Sequence, residues 1–197
     1  MKIHIVLGDI TGFNGDAIVN AANPTLMGGG GVDGAIHRVA GVRLQKFCQL
    51  LPVIDPGMFF GVRCLPGQVR ATPAFNLACK WVFHTVGPIF DLQRGGELHP
   101  GEVRTQSRIG AQLDLARCFI NCGYMMQAMG LKSIAFPAIS TGVYGCPHDV
   151  CAQVAHNWTQ GASSLPFDVT FYLMPEGYSS IWLKEFGQET AFGVEPS

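Results

Sequence analysis

Apolar residues along the chain fall into short runs and longer periodic stretches, and the two alternate. Ile3 to Leu7 is an apolar run ended by Gly8-Asp9, and Ala17 to Asn20 is a second, joined to the first by the turn-rich piece DITGFNGD. Both read as strands. Ile36, Val39, Ala40, Leu44, Phe47 and Leu51 then recur at spacings of three to four, which predicts one amphipathic helix stopped by Pro52. Residues 53–66 carry two prolines and two glycines and read as an irregular excursion in which Met58, Phe59 and Phe60 need cover. Gln68 to Thr72 and Trp81 to Thr85 are further strands, with a turn at Pro73 and Asn76, and residues 88–104 form a polar surface loop. A second long helix is predicted from Thr105 to Met129, with Ile109, Leu113, Ala116, Ile120 and Tyr124 on its apolar stripe. Ser133 to Phe136 is a buried strand that delivers the loop PAISTGVYGCP, and Pro147 suits the first turn of a helix ending near Gly161. Val169 to Leu173 is the last strong strand, Tyr178 to Phe186 a short closing helix, and the final ten residues read as loose. Strands separated by helices predict a mostly parallel sheet with helices on both faces.

Composition narrows the partners. The 197 residues suffice for one well-buried domain, and there is no internal repeat, low-complexity segment or clear linker. Lys+Arg 13 against Asp+Glu 14 gives a net charge of -1, which supplies no basic field for nucleic acid. The seven cysteines, Cys48, Cys64, Cys79, Cys118, Cys122, Cys146 and Cys151, are odd in number and show no C-x-x-C spacing, so they read as reduced, mostly buried thiols and no metal site is expected. The N-terminal apolar run is too short for a signal peptide, and no stretch is long and apolar enough for a membrane span. A soluble, cytoplasmic protein is expected.

The chemistry concentrates in the stretch VNAANPTLMGGGGVDGAIH, Val19 to His37, where Gly28 to Gly31 join a strand to a helix. Consecutive glycines suit a loop whose backbone approaches a ligand closely or takes positive φ. Asp33 stands at the first helical turn, where a carboxylate can cap the helix or reach a bound molecule. In a parallel sheet this loop and PAISTGVYGCP both leave the carboxyl ends of strands, so they share one rim. Two such loop-to-helix junctions can hold a pyrophosphate on backbone N–H groups, and no lysine lies between Lys2 and Lys46. The absent G-K-[ST] triplet excludes an NTPase phosphate loop. Gly29, Gly31 and Gly34 formally satisfy G-x-G-x-x-G with Asp55 further on, but a tetraglycine meets that pattern almost for free and Asp55 is not at a strand end. Asn20 and Asn23 suit turns as well as ligand contacts.

GDIT at Gly8 to Thr11, DAIVNAANPTLMGGGGVDGAIH at Asp16 to His37, HTVGP at His84 to Pro88 and AFPAISTGVYG at Ala135 to Gly145 together resemble the macrodomain family, specifically its MacroD-type ADP-ribosyl hydrolases. The resemblance spans residues 1–186, with 187–197 as a flexible tail. It implies a three-layer α/β/α fold with a mostly parallel, mixed central sheet and an ADP-ribose ligand. By position it implies that Asp9 takes the adenine amino group beside the Ile10 backbone, and that Asn20 contributes to ligand binding. Gly30, Gly31 and Val32, with Ser140, Thr141, Gly142, Val143 and Tyr144, match the loops around the diphosphate and distal ribose. Asn23 and Asp33 match the pair associated with turnover: Asn23 offers donor and acceptors to ribose hydroxyls, and Asp33 activates a water. Met174 stands where relatives end the last strand in an aromatic adenine platform, with Tyr178 as a substitute, and CLPG at Cys64 to Gly67 replaces C-P-T-G. The implied function is hydrolysis of mono-ADP-ribose esters on acidic side chains and of O-acetyl-ADP-ribose, by a monomer without cofactor, metal, nucleic acid or membrane. The alternative is a non-catalytic ADP-ribose reader.

Overall fold

Three buried apolar residues, Ala17, Ile18 and Val19, open an interior strand of the sheet. In the computed structural model, which describes residues 1–55, 61–90, 107–161, 166–174 and 178–188 and the backbone of 192–193, this strand β2 (Ala17–Ala22) is preceded by β1 (Ile3–Leu7). They are followed by β3 (Val69–Pro73), β4 (Trp81–Val86), β5 (Ser133–Pro137), β6 (Asp168–Leu173) and β7 (Phe192–Gly193). The sheet order is β3-β4-β2-β5-β6-β1-β7, and every neighbouring pair is parallel except β3 with β4. The mixed, mostly parallel sheet is as expected. Two residues of the stretch expected to be loose join it, since Phe192 and Gly193 pair with Val6 and Leu7 of β1.

Alternation along β2 assigns the two faces. Ala17 and Val19 join the core made by α3 (Arg108–Ala128), α4 (His148–Gly161) and α5 (Ser179–Glu185), while Ile18 and Ala22 face α1 (Gly31–Ala40) and α2 (Val42–Leu50). This is the three-layer α/β/α arrangement. The first core is aromatic: Phe119 packs on Phe136, Trp158 and Phe171, and Trp182 on Phe171 and Phe186. Burying one such ring contributes roughly 1.5–3 kcal/mol. Among the described residues no helix is long and apolar enough to cross a membrane.

Two helix expectations need correction. The single helix read from Ile36 to Leu51 is two helices broken at Gly41, whose φ of 82° only glycine adopts readily and where a Cβ would meet Asn76 Nδ2 at 2.9 Å. Their buried stripe is Ile36, Ala40, Leu44 and Cys48, whereas Val39 faces solvent. In α3 the predicted stripe lies on the outside: Ile109, Leu113, Ile120 and Tyr124 are exposed, and Ala111, Leu115, Cys118, Phe119, Cys122 and Met126 face the sheet. The inner stripe is built partly of small residues and thiols, so a reading weighted to large aliphatics picks the wrong face. The cover expected for Met58, Phe59 and Phe60, the loop over 91–104 and the start of α3 at Thr105 lie outside the described residues.

The parallel strands end at one rim, since Leu7 pairs with Leu173, Tyr172 with Pro137, and Ala22 with Val86. Between β2 and β5 the pairing covers only Ala17–Ile134 and Ile18–Ala135. The carboxyl-terminal half of β2 is therefore unpaired on that side. The chain's two unusual loops emerge there.

Candidate functional site

The first loop is organised by one amide. Asn23 Oδ1 accepts from Thr25 N, Thr25 Oγ1 and Leu26 N at 3.1, 2.7 and 3.1 Å, and Asn23 Nδ2 donates to Gly28 O at 2.8 Å. The carboxamide oxygen is thus used inside the loop. One N–H of the side chain remains for a ligand. Gly28 and Gly31 take φ of 85° and 58°. Gly34 is glycine because a Cβ there would come within 2.6 Å of Gly29 O, so loop backbone rests directly on α1. A Cβ on Gly29 would lie 3.1 Å from Asp33 Oδ2 and 3.6 Å from Asn23 Nδ2, which places both predicted turnover residues against one glycine. Around Gly30 there is only open space.

Asp33 is not the helix cap. The N-cap of α1 is Gly30, and the Asp33 side chain turns inward instead, only 5% exposed. Its Oδ1 accepts from Asn20 Nδ2 at 2.7 Å, and His37 Nε2 stands 3.4 Å from the same oxygen without hydrogen-bond geometry. Burial raises the Asp33 pKa above the ordinary carboxylate value, opposed by the Asn20 hydrogen bond and by His37. Asn20 is neither a turn former nor exposed to a ligand: it is fully buried on β2, where it positions Asp33 from below.

Beneath Asn20 lies a polar layer that strand patterning did not reveal. Asn20 and His84 are register partners across β2 and β4, and Asn20 Nδ2 lies 3.1 Å from His84 Nδ1. His84 Nε2 is 3.0 Å from Thr72 Oγ1 and 3.8 Å from Cys48 Sγ. Burial holds this imidazole down at about 3, with His37 nearby pushing the same way, so it is neutral. Burial likewise pushes the Cys48 thiol up to about 12. The available signal was two polar residues, Asn20 and His84, at inward positions of apolar strands.

The second loop leaves β5 and is folded by its own backbone. Ser140 holds φ of 66°, its carbonyl accepts from Cys146 N at 2.9 Å, and Gly145 N donates to Gly142 O at 3.0 Å. Thr141 Oγ1 donates to Ala138 O at 2.9 Å, and Phe90 N donates to Tyr144 O at 2.7 Å, tying the loop to the exit of β4. Gly87, just after β4, is packed against Ser140 Oγ so closely that no side chain fits. Gly142, like Gly30, borders open space, and Val143 is exposed. Neither loop carries a lysine or arginine.

The remaining predicted residues flank these loops. Asp9 caps a 3-10 turn (Ile10–Gly12) by accepting from Thr11 N at 2.9 Å, and this turn touches both α1 and β5. The Asp9 side chain is exposed and Ile10 is buried. Met174 is exposed at the end of β6. Tyr178 stacks on His148 at 3.8 Å and 2°.

The family model for the Macro domain matches residues 19–155. A macro domain-containing protein of Xanthomonas axonopodis pv. citri is 45% identical over 155 residues, 79% of this chain and 76% of that protein. The O-acetyl-ADP-ribose deacetylase of Salmonella typhimurium is 40% identical over 190 residues, 96% of this chain and 90% of that enzyme. A glycine-to-valine variant of the Oceanobacillus iheyensis macrodomain, solved with ADPR, superposes with a TM-score of 0.78 at 36% identity, covering 93% of this chain and 90% of that one. The glycine-rich rim described above therefore sits in a known architecture: the chain belongs to the Macro domain family.

Proposed function

We propose that this chain is a hydrolase of ADP-ribose esters, acting on O-acetyl-ADP-ribose and on mono-ADP-ribose attached to acidic side chains. The observation that carries the reading is Asp33: a buried carboxylate with Oδ1 held by Asn20 and Oδ2 turned toward the glycine loop. Relatives named O-acetyl-ADP-ribose deacetylase at 40–46% identity over most of the chain support it.

The diphosphate lies on the first-turn N–H groups of α1 at Gly31 and Val32 and on the backbone of Ser140 to Tyr144, where helix-end dipoles stand in for cations. Adenine lies toward Asp9 and Ile10, with Met174 and the Tyr178–His148 pair beside it. The free N–H of Asn23 donates to the distal ribose. A water next to that ribose gives a hydrogen bond or proton to Asp33 and attacks the ester carbonyl carbon; the acyl carbon–oxygen bond breaks and the ribose oxygen leaves protonated. The substrate pyrophosphate adds negative charge that favours proton uptake by Asp33. A net charge of -1 disfavours nucleic acid, and the seven buried, unpaired cysteines support a reducing cytoplasm. The protein acts as a monomer on ADP-ribosylated proteins.

The test is release of free ADP-ribose from a protein mono-ADP-ribosylated on glutamate. Wild type should turn over many times, and Asp33→Ala should lose at least about tenfold, about 1.4 kcal/mol of barrier. Wild type that binds ADP-ribose yet releases none would make the chain a reader.

A further inference from the structure

Three nitrogen and sulfur donors from three elements meet directly behind Asp33. His37 comes from α1, Cys48 from α2 and His84 from β4, and one ligating atom of each lies within 4.8 Å of the others. In a tetrahedral zinc site, with Zn–N about 2.0–2.1 Å and Zn–S about 2.3 Å, neighbouring donors stand roughly 3.3–3.7 Å apart. Cys48 Sγ and His84 Nε2, at 3.8 Å, are already near that spacing. His37 needs to close by about 1 Å, a small side-chain rotation within the rotamer freedom of a helix.

A carboxylate stands at the edge of this group and can close on it as the fourth donor. Asp33 Oδ1 stands 3.4 Å from His37 Nε2, a nitrogen that is buried and has no hydrogen-bond partner. A second buried atom without a partner points the same way. Asn20 Oδ1 is fully enclosed and makes no hydrogen bond, yet Asn20 adjoins His84 Nδ1 at 3.1 Å. If His84 ligates through Nε2, that nitrogen leaves Thr72 Oγ1, its proton moves to Nδ1, and half a turn of the Asn20 amide presents Oδ1 to accept it, a turn that also withdraws Nδ2 from Asp33 Oδ1 as that oxygen passes to the ion. That is the outer-shell hydrogen bond metal-bound histidines require.

We propose that His37, Cys48 and His84, completed by Asp33, form a binding site for a divalent zinc-like ion, and that the bound ion turns the site off by taking the Asp33 carboxylate. A thiolate with two imidazoles and one carboxylate suits zinc and excludes magnesium or calcium, which take all-oxygen shells. On binding, the Cys48 thiol gives its proton to solvent and both imidazoles ligate neutral. The way in is past His37 and Asp33, which retain slight exposure at the glycine loop, while Cys48 and His84 are sealed. The inhibitory half of the proposal rests on the hydrolase reading; the binding half does not.

The experiment titrates the chelator-treated chain with cobalt(II), which reports thiolate ligation by a near-ultraviolet charge-transfer band and tetrahedral geometry by visible d–d bands. One equivalent should give both, and zinc should displace them. Cys48→Ala, checked for folding by its thermal melt, should abolish the charge-transfer band and raise the zinc concentration for half-inhibition of hydrolysis at least tenfold. A folded wild type that gives no charge-transfer band overturns the site, and so does a band that survives Cys48→Ala. A band lost in Cys48→Ala in a protein with no hydrolysis at all upholds the metal site and overturns the hydrolase reading instead.

Discussion

Asp33 carries a charge in a place that disfavours charge. Burial raises its pKa, so the folded protein holds this proton more tightly than the unfolded chain does. Between the unfolded carboxylate value and the raised folded one, stability therefore falls as pH rises, and above both it stays lower by a constant amount. Asp33→Asn removes that cost while keeping an oxygen for Asn20 Nδ2. It should melt higher at neutral pH by about 2–4 °C, the shift that 1 kcal/mol produces in a domain of this size. The same variant should lose turnover, an exchange of stability for activity that calorimetry and the ADP-ribose release assay can measure side by side. In wild type, hydrolysis should rise with pH through the raised Asp33 pKa, because the water-activating form is the carboxylate; a rate independent of pH across that range would remove Asp33 from proton transfer. That Asp33 and Asn23 meet at one glycine loop was legible in sequence because they flank a glycine run. Asn20's role was not, because it depends on His84, 64 residues further on, and on the register that sets them side by side.

Among the elements, the strands were legible and the helix faces less so. A strand buried on both sides is an unbroken apolar run, visible without knowing what covers it. α3 is apolar on two sides, and periodicity alone does not say which side meets the sheet. The difference can be measured. Leu115→Ala, on the sheet side, should cost about 2–5 kcal/mol in denaturant unfolding, whereas Leu113→Gln, on the exposed side, should stay within about 0.5 kcal/mol. Equal losses would return the predicted stripe to the core. Gly41 escaped notice for a simpler reason: one glycine inside a continuing helical period reads as a tolerated residue until its positive φ is seen.

At the scale of the whole molecule, the end of the sheet opposite the glycine rim is fastened by Asp16. Its carbonyl accepts from Lys80 N and Trp81 N, its carboxylate takes Lys80 Nζ and Lys132 N at 2.7 Å each, and its own N–H donates to Ser133 Oγ at 2.9 Å. One residue thus joins the starts of β2, β4 and β5. The Lys80 hydrogen bond, against some desolvation, holds the Asp16 carboxyl below its ordinary value, with the Lys132 N–H helping. A lowered folded pKa contributes stability above the unfolded value and loses it as pH falls through the folded one. Asp16→Asn should accordingly cost about 0.5–1 kcal/mol at neutral pH, since solvent screens the exposed Lys80 partner, with the gap to wild type closing in acid and hydrolysis unchanged. The rim at the other end is made differently. Where Gly30 and Gly142 border open space, the groups on offer belong to the main chain, which every residue type carries alike. Mutation can therefore redecorate Val32 or Val143 while the main-chain groups of the rim stay where they are.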